Sequence, residues 1–145
     1  MIIGMERKDE ALKWARDRMG LEGPCGPCIT FSRVDDNNEF CAVFVFSDIN
    51  EYSACIHYAG KPGSHGFTPA FVGATFDFAF QYLKLRRLTG PTRGSNKLAL
   101  RIAPKFGFKP EGVMRQAFED GDDCHIFGFL LEDYLTHKWR NKGKH

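Results

Sequence analysis

Asn96-Lys97-Leu98-Ala99-Leu100-Arg101-Ile102-Ala103-Pro104-Lys105-Phe106-Gly107-Phe108-Lys109-Pro110-Glu111-Gly112-Val113-Met114-Arg115 decides how this chain is read. It spells a capped helix, a glycine stop and a strand. Asn96 is placed to accept from the free N–H groups of a first helical turn. Leu98, Ile102 and Phe106 recur every four residues, the spacing of one apolar helical stripe. Gly107 stands where a helix C-terminus calls for positive φ. Pro104 has no N–H to give to the carbonyl of Leu100, so the helix is expected to bend or end early there.

Working toward the N-terminus, Thr68-Pro69 reads as an N-cap and first helical position. The helix is expected to run to about Leu83, with Val72, Phe76, Phe80 and Leu83 at helical spacing. A glycine-rich loop, Gly60 to Thr68, precedes it. Residues 52–59, 40–46 and 29–34 read as strands, with Asp35-Asp36-Asn37-Asn38 as a hairpin turn. The run from Phe40 to Phe46 is almost wholly apolar and is expected to be buried on both faces. Residues 7–19 alternate as an amphipathic helix, with Leu12, Ala15 and Met19 on one side. Ile2-Ile3 is a candidate remnant of a first strand. Residues 85–92 form a short strand. Residues 108–118 and 124–132 are two more, joined by the Asp-Gly turn in Glu119–Asp123. This order implies an α/β (α+β) domain, a mixed central sheet with helices on both faces and a shortened N-terminus. One domain over 1–137 is expected, with a basic, fraying tail over 138–145.

A chain of 145 residues with 14 Phe can bury a real core and is not disordered. No apolar run reaches a membrane-spanning length, and no signal peptide is read at Met1–Lys8. Five cysteines, an odd number, fit reduced thiols in a cytoplasm. Net charge is only +2, but it is unevenly spread. Lys84 to Arg115 holds nine basic residues and one acid, Glu111. That imbalance points to a polyanion partner, either a polyphosphate cofactor or nucleic acid, or else to a solvated helix face.

The form N-x-x-A…G-F-x-x-E-G-x-x-R-x-x-x-x-D-G, from Asn96 through Gly121, resembles the GNAT superfamily of N-acetyltransferases. It is most similar to the ribosomal-protein-alanine N-acetyltransferase branch and to compact GNAT proteins of bacteriophages and prophages. The resemblance implies acetyl-CoA as cofactor and transfer of acetyl to a primary amine by direct attack in a ternary complex. In the family a Q/R-x-x-G-x-G/A loop holds the pyrophosphate. The matching positions here are Gly63, Ser64, His65, Gly66, Phe67 and Thr68, with Gly66 as the glycine kept. The resemblance also places Asn96 beside the pantetheine arm and offers Arg101, with Lys97 and Lys105, to the phosphates. Many family members carry a proton-donating Tyr four residues before the Gly of the G-F pair. Here that position is Ala103.

For the base, His57 and Glu51 are the candidates. His57 shares a strand face with Cys55 by the period of two, and an imidazole titrates near neutrality. Glu51 stands where some members place a catalytic Glu. Glu111 reads as structural, with Arg115 as its expected partner. Two other readings stay open: a GNAT-fold binding or virion-associated protein that no longer catalyses, and a nucleic-acid-directed modifying protein. A homodimer is an open expectation for the chain. Cys25-Gly26-Pro27-Cys28 has redox-motif spacing, but strand residues follow it where a helix would be needed. No metal site is expected.

Overall fold

A computed structural model describes residues 1–19, 26–61 and 66–141. These form a seven-stranded mixed sheet in the order β1-β2-β3-β4-β5-β7-β6. The strands are β1 (Ile2–Ile3), β2 (Ile29–Val34), β3 (Phe40–Ser47), β4 (Ser53–Gly60), β5 (Arg87–Arg93), β6 (Lys109–Met114) and β7 (Cys124–Leu130). The helices are α1 (Lys8–Met19), α2 (Pro69–Asp77), α3 (Lys97–Phe106) and the short α4 (Leu131–Leu135).

Strand β3 is buried along its whole length, as its unbroken apolar run demands. Alternate residues feed two cores. Ala42, Phe44 and Phe46 join Ile56 and Tyr58 of β4 against α2 and α3. Val43 and Val45 join Ala59 against Ala11, Leu12 and Ala15 of α1. Helices therefore cover both faces, and among the described residues α1 is the helix that covers its side of β2–β4. The β2–β3 hairpin is fixed by Asp35, whose Oδ1 accepts from the N–H groups of Asn37 at 2.8 Å and Glu39 at 3.0 Å.

The helix expected to continue to Leu83 changes character. After Asp77 it widens into a π-helical turn, Phe78–Tyr82. The wider turn lets Phe78 face Phe31 of β2, with ring centroids 4.7 Å apart. Phe80 meanwhile stacks on Tyr134 of α4 at 4.8 Å.

Helix α3 is capped at both ends by the residues that the sequence offers. Asn96 Oδ1 accepts from Ala99 N–H at 3.2 Å, and Gly107 adopts φ 100°. Pro104 does not end it. The helix passes through to Phe106 because the proline lies in the last turn, where one carbonyl alone loses its donor. Gly107 and Phe108 then close the end by donating to Pro104 and Ala103 carbonyls. The buried stripe is also displaced from the expected one. Ala99, Ala103 and Phe106 enter the core, while Leu98 is 38% exposed. The sheet lies close enough for alanines, and the larger Leu98 and Ile102 turn toward a cleft beside β4.

The C-terminal stretch read as a tail is held as far as it is described. Asp77, buried at the end of α2, accepts from Tyr134 O–H at 2.6 Å and from Asn141 N–H at 3.1 Å. Gln81 completes this cluster by donating to the Tyr134 oxygen.

One irregularity positions the site. Strands β4 and β5 are parallel and pair only at Ser53–Arg87, Ala54–Leu88 and Cys55–Thr89. Beyond Cys55 both strands continue, β4 against β3 and β5 against β7, without pairing each other. The sheet splits there. Pro91, without an N–H, sits on the β5 side of the gap.

Candidate active site

The gap between β4 and β5 holds a cavity of about 120 Å³. Its walls include Ile56, His57 and Tyr58 of β4, and Pro91, Thr92 and Arg93 of β5. Asn96 and Ala99 of α3 close one end, with Met19 of α1. A smaller hollow of about 50 Å³ shares Met19, Tyr58, Asn96 and Ala99 and extends along Gly60, Phe67 and Ile102. Together they trace a path from the split toward the start of α2.

His57 and Tyr58 are consecutive, so the strand period sends them to opposite faces. His57 lies on the α1 side. Its Nε2 is 3.1 Å from Ser47 Oγ, and Ser47 Oγ donates to Asp48 Oδ2 at 3.2 Å. Burial pushes the His57 imidazole below its usual pKa, partly opposed by the Asp48 charge. Cys55, on the same face, is raised by burial and then by Asp48. Tyr58 lies on the α3 side, donates to the Ala99 carbonyl at 3.2 Å and is pushed well above the usual phenol range by burial. A neutral imidazole and a protonated phenol thus flank one gap, a base and an acid with displaced pKa values.

The start of α2 adjoins the hollow through Phe67. Thr68 caps the helix by accepting from Phe71 N–H at 3.2 Å. Gly66 is buried so tightly that an added Cβ would lie 2.7 Å from the Cys41 carbonyl. Phe67 is wedged between Phe44 and Phe106, at 5.3 and 5.2 Å. Gly63, Ser64 and His65 lie outside the described residues.

Of the residues expected from sequence, His57 and Asn96 share the cavity wall, and Gly66, Phe67 and Thr68 form the approach to α2. Glu51 is exposed in the turn before β4 and does not line the cavity. Arg101 is exposed on α3 and lines neither hollow. Glu111 pairs with Arg87 rather than Arg115: the guanidinium meets both carboxylate oxygens at 3.1 and 2.5 Å and holds that carboxyl below its usual pKa. Strand β6 ends at Met114, which leaves Arg115 beyond the ladder. Arg93 pairs with Asp120 at 3.0 Å and Lys109 with Asp133 at 3.0 Å. Three cations of the basic segment are therefore spent within the fold. Cys28 is buried in the α1 core before β2, and Cys25 is outside the described residues. Among the described residues, no cluster of His, Cys, Asp and Glu suits a metal ion, and no helix is long and apolar enough to cross a membrane.

Tyr58, Ser47 and Asp48 were not singled out by sequence. The adjacency of Tyr58 to His57 was the available signal. The Ser47–Asp48 pair becomes visible only through cross-strand register.

No protein-family model matches the chain, and no curated protein does. Solved structures do. The spermidine/spermine N-acetyltransferase SpeG from Vibrio cholerae, in E-to-Q mutant forms, superposes with TM-score 0.75 at 17% identity, over 95% of this chain and 98% of that one. The same enzyme with manganese ions gives 0.74 at 17%, over 95% and 96%. An acetyltransferase of the GNAT family from Bacillus anthracis gives 0.61 at 22%, over 71% and 66%. This chain has the GNAT acetyltransferase fold. The split between β4 and β5, the helix start after β4 and the capped α3 are the parts of the GNAT fold that build the cavity described above.

Proposed function

We propose that this protein is an acetyl-CoA-dependent N-acetyltransferase that passes acetyl directly to a primary amine. The observation that carries the reading is the split sheet: a gap between parallel strands, walled by a neutral imidazole and a protonated phenol. The β4 edge beyond Cys55 has backbone groups with no β5 partner. An extended amide chain such as pantetheine can pair with such an edge as an added strand. Gly66, Phe67 and Thr68, with Gly63, Ser64 and His65 before them, bring chain to the α2 N-terminus, where the helix dipole favours a pyrophosphate. Asn96 contributes at the pantetheine end, and exposed Arg101 and Lys97 are available to phosphate oxygens.

Acetyl-CoA supplies a thioester whose carbonyl carbon accepts the amine. His57 takes a proton from the amine, and Tyr58 is the proton source for the sulfur in place of a Tyr at the Ala103 position. Ala103 is buried in the core and has no proton to give. Enclosure in the gap orients the reactants, which alone supplies a large share of rate. A cytoplasm provides the cofactor and keeps the thiols reduced. Spermidine is the first acceptor to try, because SpeG acts on it.

Calorimetric titration with CoA and acetyl-CoA is the test, followed by thiol release with spermidine and a panel of primary amines. Micromolar binding and amine-dependent thiol release are expected. Binding without release would favour the non-catalytic reading that Ala103 motivates. Absence of binding to either compound would overturn the proposal.

A further inference from the structure

The overall reaction of an ammonium acceptor with a thioester gives amide, thiol and one surplus proton. His57 is largely buried, so a proton taken there needs a way out. Three observations on the α1 face of the sheet supply one.

The first is connectivity. Ser47 has a single hydroxyl hydrogen, and it is given to Asp48 Oδ2 at 3.2 Å. Its contact with His57 Nε2 at 3.1 Å must then run the other way, from ring N–H to hydroxyl oxygen. That fixes the tautomer, with the proton on Nε2 and the lone pair on Nδ1.

The second is backbone conformation. Consecutive strand residues point to opposite faces, so an extended Asp48 would carry its carboxylate away from Ser47. Asp48 instead adopts φ 49°, in the left-handed region. This ends β3 and turns the carboxylate back beside the Ser47 hydroxyl. The third is the exposed end of the row. Ser47 is 1% exposed, so its hydroxyl has no solvent contact of its own to speak of, and the next residue, Asp48, is open to solvent.

We propose that Ser47 and Asp48 are positioning residues that hold His57 as the Nε2–H tautomer and carry its proton to solvent. This rests on the acetyltransferase reading for its catalytic consequence, though not for the tautomer. The amine proton bonds to His57 Nδ1 as the Nε2 proton passes to Ser47 Oγ. The Ser47 hydroxyl hydrogen passes to Asp48 Oδ2, and water removes it. The starting form returns when the Ser47 hydroxyl gives its proton back to Nε2 while the Nδ1 proton moves through water to the Ser47 oxygen. The freed amine nitrogen would bond to the thioester carbon and the carbon–sulfur bond would break with its electron pair going to the sulfur, which would take the Tyr58 hydroxyl proton, while the nitrogen's second proton would pass through water to restore that hydroxyl. The other titratable groups facing this row are Cys55, whose thiol also donates to Asp48, and Arg93, across the cavity from β5.

The test compares wild type with D48N, D48E and S47A. Asparagine is isosteric and tolerates the left-handed backbone, so D48N keeps the turn while removing the charge. Nitrogen-15 NMR of the His57 ring needs no substrate. The wild type is expected to show the Nε2–H form, and D48N and S47A a mixture with Nδ1–H. In amine acetylation, D48N is expected to lower kcat at least tenfold and to move the acid limb of the kcat–pH profile down, with D48E restoring most of both. The proposal is overturned if D48N and S47A retain the wild-type tautomer, or if the tautomer changes while kcat and its pH profile do not. A chain that binds no CoA would defeat the acetyltransferase reading and with it this catalytic role, while the NMR result would still decide the positioning.

Discussion

Tyr58→Phe separates chemistry from packing, because it removes one oxygen and leaves the ring. The ring keeps its neighbours: Phe44 at 5.9 Å, Phe67 at 6.0 Å and Phe106 at 5.4 Å. What goes is the hydroxyl, with its bond to the Ala99 carbonyl at 3.2 Å and its hydrogen bond with the Thr92 side chain. A neutral hydrogen bond of this kind contributes about 0.5–1.5 kcal/mol. The Ala99 carbonyl keeps its helical donor, so the lower half of that range is expected. For a domain of this size such a loss lowers Tm by roughly 2–4 °C. Domains commonly have roughly 5–15 kcal/mol in hand, so the variant stays folded at assay temperature. A positioned acid contributes roughly 10²–10⁴ in rate. The expected outcome is a kcat at least a hundredfold lower, with CoA affinity almost unchanged and only that small fall in Tm. Steady-state thiol release, calorimetry and thermal melts read the three quantities. The raised phenol pKa means that the wild-type acid stays protonated through the whole working range, so the kcat deficit must be the same at pH 7 and pH 9. A kcat within threefold of wild type, with the cofactor bound, refutes the assignment of Tyr58 as proton donor.

The depressed His57 pKa has a stability consequence. Between the unfolded value near 6.5 and the lower folded value, the unfolded chain binds more protons, so stability is full above pH 6.5 and declines as pH falls. His57→Gln should flatten the drop in Tm between pH 7 and pH 5, and an unchanged slope would contradict the burial argument. Gly66→Ala should destabilise by about 1–3 kcal/mol, since the new methyl meets a backbone carbonyl that cannot yield; CoA affinity should fall with it, as read by denaturant melts and calorimetry. Asp77→Ala strips a buried acceptor from Tyr134 and Asn141 and should cost about 2–3 kcal/mol. Limited trypsin digestion of the variant should then cut after Lys138 or Arg140 before the rest of the domain, and a variant as resistant there as the wild type would count against the anchoring.

What could be read in advance was what short-range chemistry decides. The Asn96 and Gly107 caps of α3, the Thr68-Pro69 start of α2 and the buried run of β3 depend on residues within four places of each other. The displaced α3 stripe was not legible, because the sequence shows which residues are apolar and not how near the sheet lies. Alanines meet it, and leucine is turned aside. The π-helical turn after Asp77 answers two aromatic partners, Phe31 and Tyr134, from opposite ends of the chain. In the candidate site, His57 and Asn96 could be picked out by residue type and element order, as could the loop around Gly66. Asp48 could not, since its role depends on a left-handed φ and on the cross-strand neighbourhood of Ser47 and Cys55. The expected partner of Glu111 was Arg115, four residues on; the fold supplied Arg87, two strands away.

The three residue pairs that join β4 to β5 make the sheet two leaves stitched along a short seam. On one leaf lie β1 to β4, on the other β5, β7 and β6, and the helical layer of α2 and α3 packs across them. A molecule laid in the open part of that seam would act as mortar as well as reactant. Bound cofactor would then raise the melting point by mass action, and hydrogen exchange should slow first at the facing edges of β4 and β5. The durability of the fold would then rise and fall with the supply of whatever compound occupies that seam.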